Sequence, residues 1–249
     1  MSLTARRIVV LVLAVGSLEL LCRTGVVGRL TMVPPSEMAM RLWQILASGS
    51  AADDILYTAG NAAAAILASI VAGFLAGAAI HALPRLRSIL DPLLTSYYAI
   101  PIFVFYPLLI VIFGINSIPL IIIGGMFGVV AMIVATLTGL DRVPRALRKS
   151  ARLFRLGRMQ ELFLVSLPAA GPHFVTGIKF SIIYAIIAVI AGEFILSSRG
   201  IGFRVAFAYN SFDGRTMYAL LLLLLGSVSI VTLSLHAFEK RLHRRWGRE

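Results

Sequence analysis

The chain has 249 residues, of which 59% are hydrophobic and only 14% charged, where a soluble domain carries about a quarter charged residues. That deficit, spread over long apolar runs, excludes a soluble fold and a large soluble domain, and places the chain in the membrane class. The net charge of +12 belongs with basic membrane-protein loops and not with a nucleic-acid-binding face, because no soluble surface is available to carry one.

Taken in chain order, six apolar segments stand out, and a spanning helix needs about 20 such residues. The first, Ile8 to Val27, follows a basic start (Arg6, Arg7) and imitates a signal peptide. No small-x-small cleavage site follows, so it reads as a retained first helix. Cys22, the single cysteine, excludes an internal disulfide, and Glu19 sits late enough to reach the outer interface. Residues 33–48 then predict a short amphipathic helix on the outer surface, opened by Pro34-Pro35 with Ser36 as its cap.

The second span, residues 55–83, is rich in Ala and Gly, which lets helix backbones approach closely inside a bundle. The third, residues 93–114, carries Pro101 and Pro107, so a kinked or broken helix is expected there, its freed carbonyls facing protein or a cavity. Tyr98 belongs to an aromatic cluster around that break, a packing or interfacial set with a substrate-path lining as its alternative. The fourth span covers residues 118–140, the fifth 174–196 and the sixth 218–238.

Basic residues orient these spans. Arg6 and Arg7, Arg85 and Arg87, the run Arg142, Arg145, Arg148, Lys149, Arg152, Arg155 and Arg158, and the tail Lys240, Arg241, Arg244, Arg245 and Arg248 fall on one side. Arg23, Arg29, Arg41, Arg199, Arg204 and Arg215 fall on the other. The heavier side is cytoplasmic, which puts both termini inside. Lys179 lies within the fifth span, where it either snorkels to the headgroups or attracts an anionic solute. Glu193, near that span's outer end, is either a pathway residue or a carboxylate bonded to the N–H groups of the Ser197–Gly202 turn.

The longest cytoplasmic loop, about residues 141–170, predicts an amphipathic helix over 149–164 with a turn near Gly157, ended by Leu167-Pro168. Its basic face also suits anionic headgroups of membrane lipid. His81, His173, His236 and His243 lie apart, with no metal-binding spacing, and no nucleophile elbow occurs. The sequence holds no phosphate-binding Gly-x-x-x-x-Gly-Lys-Ser/Thr loop, so any ATP hydrolysis belongs to another chain.

This loop resembles the Glu-Ala-Ala loop of binding-protein-dependent ABC importer permeases, whose pattern is Glu-Ala-Ala-x-x-x-Gly followed by Ile-x-Leu-Pro. Lys149-Ser150-Ala151 stands at Glu-Ala-Ala, Arg155 at the Gly and Val165-Ser166-Leu167-Pro168 at the end. Ala151, Leu167 and Pro168 agree, Val165 is conservative, and the departures at Lys149 and Arg155 put a cation in each place. Other segments are similar to the nitrate/sulfonate/taurine branch: Val33-Pro-Pro-Ser-Glu-Met38, Asp91-Pro92, Pro101 to Gly114, Ala191-Gly-Glu to Gly-Ile-Gly202, and the basic tail from Phe238. The resemblance covers the chain in order.

It implies an all-α membrane protein of type I importer permease fold, one transmembrane domain over 1–249, in the bacterial inner membrane. It further implies a translocation pathway for a small solute such as nitrate, a sulfonate or a small organic acid, worked by alternating access. Partners implied are ABC ATPase subunits carrying ATP and Mg, a second permease copy or a related permease, and a periplasmic solute-binding protein. The ATPase-coupling helix would comprise Lys149, Ser150, Ala151, Arg155, Gly157, Leu167 and Pro168. Candidate pathway residues are Glu193, Lys179, Pro101, Pro107 and Tyr98. A stand-alone channel or secondary carrier is the alternative; it would need no ATPase, and the internal repeat frequent in carriers is missing.

Overall fold

The computed structural model describes residues 3–28 and 31–246. Arg29 and Arg248 lie outside the described residues, as do the side chains of Arg7, Arg152, Arg158, His243, Arg244 and Arg245. Every described element is helical: α1 (Leu3–Arg23), α2 (Pro35–Ala47), α3 (Ala52–Ala82), α4 (Pro84–Ser96), α5 (Phe105–Phe113), α6 (Ser117–Asp141), α7 (Arg145–Leu153), α8 (Arg158–Glu161), α9 (Leu167–Leu196), α10 (Ile201–Asn210) and α11 (Gly214–Trp246). Two compact units emerge, one from Met1–Thr58 with Glu193–Ser227, the other from Ala59–Gly192 with Val228–Glu249.

In the larger unit, α3, α6 and α9 meet through small residues. Ala65, Ser69, Gly73 and Gly77 recur at every fourth position of α3, and so lie on one helix face. They meet a matching four-residue series on α6. A Cβ at Gly124 would stand 2.7 Å from that of Ala65, and one at Gly128 2.8 Å from that of Ser69. Gly73 faces Met132, and Gly77 faces Thr136. Both series ascend together, so α3 and α6 run parallel. α9 takes the other side of α6 in the opposite sense: Gly124 meets Val189, Gly128 meets the Ser181 carbonyl, and Gly139 meets His173 and Ala170.

Because α3 and α6 are parallel, the chain between them must return across the membrane. Two 3₁₀ turns, Tyr97–Ala99 and Ile102–Val104, join α4 to α5 across Pro101, and the halves meet at an 80° bend. Proline removes a backbone donor and clashes with the preceding turn, so the break falls where the sequence predicts it. Among the described residues, four helices are long and apolar enough to span, or five when the bent pair is one span, against the six expected. The difference is α1: its 21 residues include Arg6, Arg7, Glu19 and Arg23, each costly in lipid.

The fifth span differs from expectation at its start. Leu167-Pro168 ends no helix; a π turn, Leu162–Ser166, runs straight into α9, with the Leu167 N–H bonded to the Leu162 carbonyl. The wider π turn relaxes the carbonyl spacing that proline would otherwise strain, so Pro168 is tolerated in the first turn.

In the smaller unit, Ile45, Ala51, Ile201, Val205, Ala219 and Leu220 form one buried cluster, with Leu42 and Met217 against it. The helix predicted within residues 33–48 is present as α2, with Trp43 72% exposed. It starts two residues earlier than predicted, with Pro34 as cap and Pro35 at the first helical position, where a missing N–H costs nothing. Ser36 instead gives its backbone N–H and hydroxyl to the Glu19 carboxylate, at 3.0 and 2.7 Å. Asp213 caps α11 by accepting the Thr216 N–H at 3.1 Å. Bonding to Thr216 holds the Asp213 carboxyl below its usual range, and Arg41 and Arg215 assist.

Candidate functional site

The basic loop between α6 and α9 is built from its first turn outward. Leu140 and Val143 are buried with Ala170, and Leu162, Leu167 and Phe174 pack against them. Arg148 on α7 reaches back to donate to the Leu140 carbonyl at 2.6 Å. Ala151 is buried (3% exposed), which seats α7; a small side chain is needed at that position.

The loop helix expected over 149–164 is broken by a turn near Gly157, as expected. It ends at Leu153, turns through Phe154–Gly157 and restarts as α8. Arg155 adopts φ +52°, the left-handed region that costs L-residues about 1–2 kcal/mol and that glycine enters freely. This accounts for the glycine in the resembling pattern: within the turn it is Arg155, two residues before Gly157, that takes the left-handed conformation. Gly157 instead opens α8, its N–H bonded to Gln160 Oε1 at 3.0 Å. Lys149, Ser150, Arg155 and Gly157 are exposed, and beside them Leu153 and Phe154 stand 83% and 78% exposed. Leu167 is partly buried, whereas Pro168 is exposed at the base.

The candidate pathway residues do not form one group. Lys179 is paired with Glu239 of α11 at 2.8 Å, the two side chains 20% and 16% exposed. Thr176 bonds the same carboxylate at 3.3 Å, His236 Nδ1 lies 3.7 Å away, and the Lys179 ammonium sits 5.6 Å from the Phe180 ring centroid. It is therefore neither a free cation nor a snorkelling one. The sequence reading missed Glu239; the signal was an isolated acid opening a run of bases in the tail.

Glu193 is fully buried. Its Oε2 accepts from the Thr58 hydroxyl at 2.8 Å and from the Gly202 N–H at 3.1 Å. Thr58 in turn accepts the Ile201 N–H at 2.9 Å, and Asp54 the Gly200 N–H at 2.8 Å. Arg204 pairs with Asp54 at 3.4 Å and donates to the Ser50 carbonyl. Acids thus gather at the N-terminus of α10, where free N–H groups and the helix dipole favour them. The expectation of a carboxylate bonded to this turn is met at Gly202; Asp54 and Thr58, one turn apart on α3, were not anticipated.

Tyr98 lies in the broken span. Its hydroxyl reaches the Phe127 carbonyl at 3.4 Å, and its ring contacts Tyr184 at 5.4 Å, which stacks on Phe180. Tyr98 and Phe180 are 47% and 41% exposed. Pro101 caps the second 3₁₀ turn, and Pro107 sits in the first turn of α5.

A bundle of parallel and antiparallel apolar helices with a broken span and a tethered basic loop defines a membrane transport component. Residues 65–248 match the family model described as binding-protein-dependent transport system inner membrane component, and the chain belongs to that family. It is 28% identical over 211 residues to the taurine transport system permease protein TauC of Escherichia coli, covering 84% of this chain and 73% of that one. The nitrate import permease protein NrtB of Leptolyngbya laminosa is 25% identical over 205 residues, covering 79% and 72%. In three dimensions the fold is similar to the inward-facing MetNI methionine ABC transporter, with a TM-score of 0.64 at 17% identity, covering 74% of this chain and 92% of that one.

The chain is accordingly a multi-pass inner-membrane permease component of an ABC importer, of type I fold. It is not itself an enzyme; ATP hydrolysis belongs to a separate subunit. Components of this kind act with an ATPase and a solute-binding protein.

Proposed function

We propose that residues 142–161 are the surface through which ATPase subunits drive this permease, and that both termini lie on the same, cytoplasmic side. The carrying observation is the short α7, seated by Ala151 and tied to α6 by Arg148, with Leu153 and Phe154 almost fully exposed among cations. Exposed apolar side chains ringed by charge mark a protein contact. The complementary cleft has an apolar socket and an acidic rim facing Lys149 and Arg155. Magnesium and ATP are held by the ATPase, and this chain contributes no cofactor site.

The solute is small. Relatives named for taurine and nitrate support an anion-bearing one, delivered by a periplasmic binding protein to a pair of permease copies. Tyr98, with Tyr184 and Phe180, lines the pathway in this reading, while Pro101 and Pro107 keep the span broken beside it. Glu193 and Lys179 shape the walls through their bonded partners and present no free charge.

The test is purification of the tagged chain from native membranes in mild detergent, with mass spectrometry of what accompanies it. A near-stoichiometric ATPase that is lost with Leu153→Ala/Phe154→Ala is expected. The chain alone, retaining solute flux in vesicles without ATP, would refute the coupling role and favour a channel or carrier.

A further inference from the structure

The cytoplasmic-loop end of the larger unit holds a cluster of charges that the coupling surface does not use. Asp141, the last residue of α6, accepts two parallel bonds from Arg87 of α4: Nη1 to Oδ1 at 2.8 Å and Nη2 to Oδ2 at 2.6 Å. Arg87 Nε also lies 3.6 Å from Asp91, one turn further along α4. His81, near the end of α3, places Nδ1 3.2 Å from Asp141 Oδ1. The residue before Asp141 is Leu140, whose carbonyl receives Arg148 of α7. Three helices therefore end on one carboxylate, next to the anchor of the loop helix.

The packing around α4 gives this cluster its importance. α4 has no buried residue; Leu90 and Leu94 only partly cover Ile80, Ile133 and Leu137. A bidentate guanidinium–carboxylate pair fixes orientation as well as distance. The Arg87 and Asp141 side chains are 32% and 36% exposed, and pairs that open to solvent add little to stability. The pair's value is then geometric: it is the directional attachment of the first half of the broken span to the helix that feeds the loop.

We infer that the Arg87–Asp141 pair is the joint through which movement of the loop reaches the broken span. Asp141 is thus a positioning residue for alternating access. The inference rests on the coupling reading of residues 142–161. When the loop tilts, α6 carries Asp141 with it, and the fork turns α4 about its exposed axis, opening or closing the break at Pro101.

The test uses the chain with its co-purified ATPase in lipid nanodiscs, carrying Cys22→Ser and a reporter Ile100→Cys at the break. Maleimide labelling is timed without nucleotide and with ATP plus orthovanadate. The parent should show at least about a five-fold nucleotide-dependent change in labelling rate, the lower end of ordinary coupling between sites. Asp141→Asn should keep the ATPase and its hydrolysis while the labelling ratio falls towards one. The exchange Arg87→Asp with Asp141→Arg should restore it, and Arg87→Lys, which keeps charge but not the fork, should restore only part. An unchanged ratio in Asp141→Asn overturns the joint while leaving the coupling reading intact. Loss of the ATPase from Asp141→Asn overturns it in favour of a purely structural role. A parent that recovers no ATPase sinks the coupling reading, and the joint with it.

Discussion

Gly200 offers the sharpest test of the buried acid cluster. Its backbone stands at φ +101° and ψ 168°, a region that is essentially glycine's alone and costs other residues about 1–3 kcal/mol. A Cβ there would stand 2.5 and 2.6 Å from the two carboxylate oxygens of Glu193. Glu193 is completely buried, so it cannot swing into solvent to make room. Displacing it breaks a bond from Thr58 or Gly202, and leaving a buried donor or acceptor unsatisfied costs about 1–3 kcal/mol. Gly200→Ala should therefore destabilise the chain by about 2–6 kcal/mol, the sum of the conformational cost and one such loss. For a chain of this size that is a fall of roughly 10 °C in melting temperature, read by thermal unfolding of the detergent-purified protein. Gly226→Ala is the control: nothing lies within 4 Å of its would-be Cβ, and in the long α11 it should stabilise by up to about 1 kcal/mol. If Gly200→Ala melts within about 1 °C of the parent, the cluster is no lock and the reasoning fails.

Three further outcomes follow from the geometry. Arg155→Gly should relieve the left-handed strain, offset in part by added freedom of the unfolded chain, for a net gain of about 0.5–1 kcal/mol; an Arg155→Ala variant, which keeps the strain, should show none in the same thermal assay. Lys179→Ala alone should cost about 1–3 kcal/mol, below the figure for a wholly buried charge left unpaired, and Lys179→Met with Glu239→Gln should recover most of it; equal melting of single and double variants would refute the pairing. Asp213 has a lowered folded-state pKa, so its contribution is present above its unfolded pKa, near 3.8, and is lost as the pH falls through the folded value. Asp213→Asn keeps the cap but not the titration, and should flatten that limb of a stability–pH profile while leaving neutral stability nearly unchanged.

Much of the fold was legible because lipid imposes a simple rule: long apolar helices, small residues where they touch, prolines where they break. The Ala/Gly-rich second span and the break at Pro101 both follow from that rule. Legibility failed where tertiary partners decide. Pro168 looked like a stop, but a π turn absorbed it. Lys179 and Glu193 each kept two readings because their partners, Glu239 and Thr58, lie 60 and 135 residues away in sequence. Gly157 pointed to the turn, but Arg155 concealed that it takes the left-handed position, since a left-handed arginine carries no local signature. Ser36 was misread as a cap because its hydroxyl was already claimed by Glu19.

The four-residue series that mesh α3 with α6 also restrict how the protein can move. Each tooth is a backbone notch with no spare depth, so a slide of the two helices by less than a full turn, about 5.4 Å, drives side-chain carbons into main chain. Half-steps are forbidden and a whole step would unseat the ends. The pair, clasped from the other side by α9, must then travel as one girder through the transport cycle. All the give in that unit is left to the hinged span at Pro101, so a drug or crosslink that stiffens the hinge should arrest transport without touching the girder.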